Sequence, residues 1–139
     1  MPGREAASEP ERPSVRRGGE LNQAIANAVA HTRTQFTGHG PARAQAFHSG
    51  NVVVVLLHEP LGPAERLLDE HGRRGKVLET RADVRDAMGG DVVRQIESLT
   101  ACTVLARLGG SHVDPDISAE VFVLDRRVGG DETSAMFAV

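Results

Sequence analysis

The run Val52 to Leu57, VVVVLL, is the longest uninterrupted apolar stretch in the chain. Its six residues fall far short of the roughly 18 that a membrane helix needs. Side chains of an extended segment alternate between two faces, so an unbroken apolar run is apolar on both. That pattern predicts a central strand of a sheet. Ala42 to Phe47 precede it as a second β-compatible run, joined through His48-Ser49-Gly50-Asn51. A short glycine-containing connection between two such runs signals a hairpin.

Around this hairpin the apolar period lengthens to that of a helix. Leu21, Ile25, Ala28, Val29, Thr32 and Phe36 recur along one face and predict a helix over about Glu20 to Phe36. Thr37-Gly38-His39-Gly40-Pro41 stops it, since glycine supplies left-handed geometry and proline cannot continue the helix. After the hairpin, Pro63 to His71 reads as a short helix with proline in its first turn and Gly72 beyond its end. A longer helix spans about Val77 to Leu99, with Val84, Met88, Val92, Ile96 and Leu99 on one face. Gly89-Gly90 lies inside it and is expected to weaken or kink it, at about 1 kcal/mol per glycine relative to alanine. Cys102 to Leu108 and Ile117 to Leu124 complete the pattern as two further strands. The order α-β-β-α-α-β-β predicts an α+β two-layer sandwich, an antiparallel four-stranded sheet with helices on one face.

The remaining residues set the boundaries. Residues 1–19 are Pro, Gly, Glu, Arg and Ser with almost nothing to bury and read as a disordered tail. Residues 126–139, which follow the last strand, read as a flexible C-terminal tail, leaving one domain over 20–125. With an aromatic fraction of 3% and no Trp or Tyr, the core must come from Val, Leu, Ile and Ala. Such a core folds alone but leaves modest stability, which pairing with a second copy would raise. The single Cys102 excludes an internal disulfide and a thiolate zinc site. No secretory or membrane-spanning segment is present, so a cytoplasmic location is expected.

Charge addresses one function class. Residues 20–125 hold ten Lys and Arg against fourteen Asp and Glu, a net of minus four. Nucleic-acid binders need a basic face to displace counterions from phosphates, so no nucleic-acid partner is expected. The arginines of ERLLDEHGRRGK and ETRADVRDAM alternate with acids and read as a solvated surface.

Two stretches are candidates for chemistry. In SHVDPDISAEVFVL, His112, Asp114 and Asp116 alternate, Glu120 would join their face, and together they could present imidazole and carboxylate ligands to a divalent ion. The competing reading is turn chemistry, because Asp bonds its own backbone and Pro115 presets φ. With no second ligand cluster, the turn reading outweighs the metal. Gly38-His39-Gly40-Pro41, with Arg43 beside it, could form a backbone nest for a small anion. It follows a helix and precedes a strand, the reverse of a phosphate loop. Cys102 reads as a small buried hydrophobe. No P-loop, GxGxxG, HExxH, GxSxG or CxxC motif occurs. No catalytic residue and no cofactor is expected.

Three stretches together carry a resemblance: residues 21–47, residues 52–72, and DPDISAEVFVL at 114–124. They resemble the MpsC-like domain family of unknown function. Gly38-His39-Gly40-Pro41 and Asp114-Pro115-Asp116 are its most specific elements. The resemblance implies association with a Na+-translocating, membrane-potential-generating system, and so a link to a membrane ion or bicarbonate transport system. It implies a soluble, non-enzymatic accessory or regulatory domain that binds a protein partner or small anion, without inserting into the membrane. The alternative is a divalent-metal enzyme using the His112/Asp114/Asp116 loop. The exposed edges and two-sided apolar strands predict a homodimer that buries part of the last strand, near Val121 or Phe122.

Overall fold

A two-residue turn at Gly50-Asn51 closes the first hairpin, with Gly50 at φ 60. Positive φ at the first loop position is where a hairpin turn of this length takes glycine. The computed structural model describes residues 18–129, and within them the elements run α1 (Gly18–Thr37), β1 (Arg43–Ser49), β2 (Val52–His58), α2 (Pro63–Glu70), α3 (Arg74–Thr100), β3 (Val104–His112) and β4 (Ile117–Leu124). This is the α-β-β-α-α-β-β order that the sequence predicts. The parts of the expected tails at residues 1–17 and 130–139 lie outside the described residues. Gly18 and Gly19, assigned to the N-terminal tail above, form the first turn of α1. Val128, assigned to the C-terminal tail, packs against the core and donates its N–H to Gly50 O at 2.8 Å.

All strand pairs are antiparallel, and the sheet order is β1-β2-β4-β3. β2 is therefore internal, as its apolar run requires. Register fixes what each face carries. Val53 sits opposite Phe122, Val55 opposite Glu120, and Leu57 opposite Ser118, all buried beneath the helices. Their neighbours Val52, Val54 and Leu56 oppose Val123, Val121 and Ala119 on the other, uncovered face. The core gathers Leu21, Ile25, Val29, Met88, Val92 and Ile96 from the helices against Val53, Val55, Phe122 and Leu124. Burying aliphatic side chains of this size contributes about 1.5–3 kcal/mol each. Cys102 belongs to this core, as expected.

Several expectations need correction. Phe36 is exposed, and the α1 stripe continues from Val29 to Arg33 instead. α3 runs unbroken through Gly89-Gly90 and ends at Ala101, whose φ of 60 is left-handed. β3 extends to His112, so the loop before β4 is only Val113–Asp116. Arg81, within the stretch read as a solvated surface, is 4% exposed. Phe122 is fully buried against the helices, because even-numbered residues of β4 face inward. It therefore cannot belong to a dimer surface; Val121 lies on the open face.

Candidate functional site

At one end of the sandwich the inner layer turns from apolar to charged. α1 brings Arg33, which follows Leu21, Ile25 and Val29 at steps of four. α3 brings Arg81 one turn after Val77 and two turns before Met88. Helical spacing aims both arginines at the core. β4 continues its inward set from Leu124 and Phe122 to Glu120 and Ser118. The segment after β2 supplies Glu59.

Glu59 is the hub. Arg33 donates from Nε to Glu59 Oε2 at 2.6 Å and from Nη2 to Oε1 at 3.0 Å. Ser118 Oγ donates to the same Oε1 at 3.0 Å, and Arg81 Nη2 donates to the Glu59 carbonyl at 3.1 Å. Arg81 also makes a fork with Glu65, Nε to Oε2 at 3.0 Å and Nη2 to Oε1 at 2.9 Å. Glu65 in turn accepts the N–H of Gly62, which joins α2 to the cluster. Forked, charge-assisted bonds are the geometry that makes buried arginine tolerable. The hydrogen bond from Arg81 holds the Glu65 carboxyl below its ordinary value, against the opposing effect of burial. Burial works to lower Arg81, but its bonds to Glu65 and the charges of Glu65 and Glu59 raise it overall.

A second buried charge lies beside the hub. Burial pushes Glu120 up, and Arg107, Arg85 and Arg33 oppose that shift. Arg107 Nε stands 3.4 Å from Glu120 Oε1, and its Nη2 reaches Arg85 O at 3.2 Å. Gly89 makes this approach feasible: a Cβ there would overlap the Arg107 guanidinium. Arg85 reaches Ser111, which bonds Ser118, so the two charged groups form one connected layer.

A cavity of about 220 Å³ opens on the hub, walled by Arg33, Glu59, Glu65, Arg81 and Val84, with Thr37, His39, Gly40, Pro60 and Thr80 towards its mouth. His39 and Gly40 are thus brought to the site. Gly38, at φ 87, ends α1, and a Cβ on Gly40 would run into Thr34 Oγ1. Pro41 follows in the loop and is not part of the wall. Arg43 begins β1 opposite His58, away from the cavity.

His112, Asp114 and Asp116 are turned onto their own loop. His112 Nδ1 donates to Pro115 O at 3.0 Å, Asp116 Oδ1 accepts the Asp114 N–H at 3.3 Å, and Asp114 holds φ 65. Among the described residues no group of three His, Cys, Asp or Glu is placed to hold a metal ion. The loop instead backs onto the hub, where Asp116 O accepts the N–H of Glu59 at 3.2 Å. Of the two stretches that most specifically carry the resemblance, one thus lends His39 and Gly40 to the cavity lining and the other bonds the Glu59 backbone.

The uncovered sheet face is the other feature. Across its middle, Phe47, Val54, Val121 and Leu108 form one row. Val52, Val123 and Ala106 form the row on one side, and Leu56 and Ala119 continue the other. Phe47 is 47% and Leu108 60% exposed.

Sequence reasoning missed Arg33, Glu59, Glu65 and Arg81. A signal was present for the arginines, because each continues an apolar stripe at the spacing of four. Among the described residues no helix is long and apolar enough to cross a membrane. A family model described as "Na+-translocating membrane potential-generating system (MpsC)" matches residues 17–126. No curated protein and no solved structure matches the chain.

Proposed function

The chain belongs to the MpsC family, and we propose that it is a non-enzymatic accessory or regulatory domain that works as a homodimer, serving a membrane ion-transport system from the cytoplasmic side. The observation that carries this reading is the uncovered apolar face. Four strands about 4.8 Å apart and about seven residues long at about 3.4 Å per residue give a face of roughly 450 Å². That is within the roughly 300–600 Å² of the largest patches on monomers, patches that often mark interaction sites. Two such faces, with side chains that stand off the sheet and present more area than its projection, approach the roughly 1,200 Å² of a small stable interface.

A second copy suits this face better than a charged partner would. Its rows are uncharged, and Arg43, His58 and His112 lie only towards one end. A two-fold contact brings each patch onto itself, so an uncharged patch meets no like charge. The non-enzymatic reading is supported by the hub, where both carboxylates already accept from arginines and neither is left as a base.

Light scattering coupled to size exclusion, on the full chain at micromolar concentration, tests the proposal. The expected mass is that of two chains, falling to one in Val121→Glu and in Leu108→Glu. A wild-type chain of strictly monomeric mass overturns it.

A further inference from the structure

We infer that the second copy in the proposed open-face dimer lies with its strands antiparallel to the first, each strand over its own copy. The arrangement rests on that dimer and adds which way round the partner sits. It carries the two charged hub ends to opposite extremes of the assembly.

A two-fold contact between two sheet faces has its axis in the plane between them. Aligned packing keeps the strand directions within about 30° of each other, so the axis runs along the strands or across them. Along the strands, β1 covers β3 and β2 covers β4, and each row of side chains meets its own copy. Across the strands, each strand covers its own copy and the rows exchange, first with last and second with third. The rows are not alike, so the two axes give different contacts.

Charge favours the axis across the strands. The row at the hub end aligns Arg43, His58, Ile117 and His112, and gathers every ionisable side chain on the open face of the strands. An axis along the strands sets Arg43 over His112 of the second copy and stacks two such rows at one end. An axis across them sets this row over Ser49, Val52, Val123 and Ala106, none of which is ionisable. The two copies of Arg43 then stand about 20 Å apart along the strands, beyond the Debye length of about 8–10 Å.

Shape gives the same axis. The row of Phe47, Val54, Val121 and Leu108 is bulky throughout. The row beside it is thinned by Ala119 and Gly110, and a Cβ added at Gly110 would meet nothing within 4 Å. An axis along the strands stacks Phe47 on Leu108 and Val54 on Val121. Tall on tall props the sheets apart and leaves Gly110 facing a void, whose lining loses its contacts. An axis across the strands lets Leu108 enter the space over Gly110 and sets Val121 against Ala119. On β3 and β4 tall then meets short, as interdigitating layers require.

A spin-label distance on the full chain tests the arrangement. In a Cys102→Ser background, Asp125→Cys puts one nitroxide just past the end of β4. An axis across the strands separates the two labels by about ten residues of strand, roughly 35 Å, whereas an axis along them brings the labels within about 15 Å. Pulsed electron paramagnetic resonance, on a sample whose light-scattering mass is that of two chains, should give a distance above about 30 Å. A shorter distance in that dimer overturns the arrangement and leaves the dimer standing. A strictly monomeric mass overturns the dimer and the arrangement with it. Gly110→Leu is the second variant, because its side chain enters open space in the single chain and fills the hollow that receives Leu108. It should weaken dimer Kd by about tenfold or more, and an unchanged or tighter dimer would equally overturn the arrangement.

Discussion

Gly89→Ala and Gly90→Ala should move stability in opposite directions, although the two glycines are neighbours in the same helix. Both lie well inside α3, where replacing glycine by alanine ordinarily stabilises by about 1 kcal/mol. At Gly90 the nearest atom to an added Cβ is Arg94 Nη1 at 3.5 Å, an ordinary contact, so the full gain is expected. At Gly89 the Cβ would displace the Arg107 guanidinium and deprive buried Glu120 of its nearest cation. Breaking a buried pair costs about 3–5 kcal/mol. Here the cost should be nearer 2–3 kcal/mol, roughly, because Arg107 is 19% exposed and can find water. After the helix gain, Gly89→Ala should lose about 1–2 kcal/mol. For a domain of this size that lowers Tm by roughly 5–15 °C, while Gly90→Ala raises it by about 4–8 °C. Differential scanning calorimetry reads both. A double-mutant cycle isolates the cause: with Arg107→Ala in place, Gly89→Ala should become stabilising. A Gly89→Ala chain melting at or above wild type would refute the reasoning.

Glu65→Gln should destabilise by about 1–2 kcal/mol at neutral pH, the loss of a charge-assisted fork to Arg81. Because the folded carboxyl titrates below its ordinary 4.5, this stability is present above pH 4.5 and lost as pH falls through the folded value. Denaturant melts at descending pH should therefore show the variant converging on wild type, and a gap that widens in acid would contradict the assignment. Asp114→Asn should leave Tm unchanged, since asparagine tolerates the left-handed φ of 65, whereas Asp114→Val should cost about 1–2 kcal/mol. Equal melting of the two variants would show that the turn geometry does not matter.

The layers of this fold were legible because their signals are local. VVVVLL, the stripe Met88-Val92-Ile96 and the glycine-containing turn each specify their element without help from distant residues. The charged hub was not legible in that way. In isolation Arg33 and Arg81 look like solvated helix residues flanked by other polar side chains, and Glu59 looks like a loop acid. Only their registers, four residues beyond Val29 and Val77, point them inward. Their partners come from segments 26 and 16 positions away in the sequence. β4 shows the same limit from another side. Its two alternating sets, Ile117/Ala119/Val121/Val123 and Ser118/Glu120/Phe122/Leu124, are both rich in apolar residues, and periodicity alone does not say which faces the helices. The more polar set went inward, because Ser118 and Glu120 meet Glu59 and Arg107 there. The uniformly apolar set was left on the open face. That inversion moved Phe122 into the core and made Val121 the surface residue.

Cysteine cross-linking tests the proposed dimer most directly. In a Cys102→Ser background, which removes the only native thiol, Val121→Cys places one sulfur near the centre of the open face. Asp83→Cys places one on α3, on the helix side of the sheet. If two sheets pack open face to open face, mild oxidation at micromolar concentration should convert Val121→Cys to a covalent dimer and leave Asp83→Cys a single chain. Failure of Val121→Cys to cross-link, or equal cross-linking at both positions, would contradict the account.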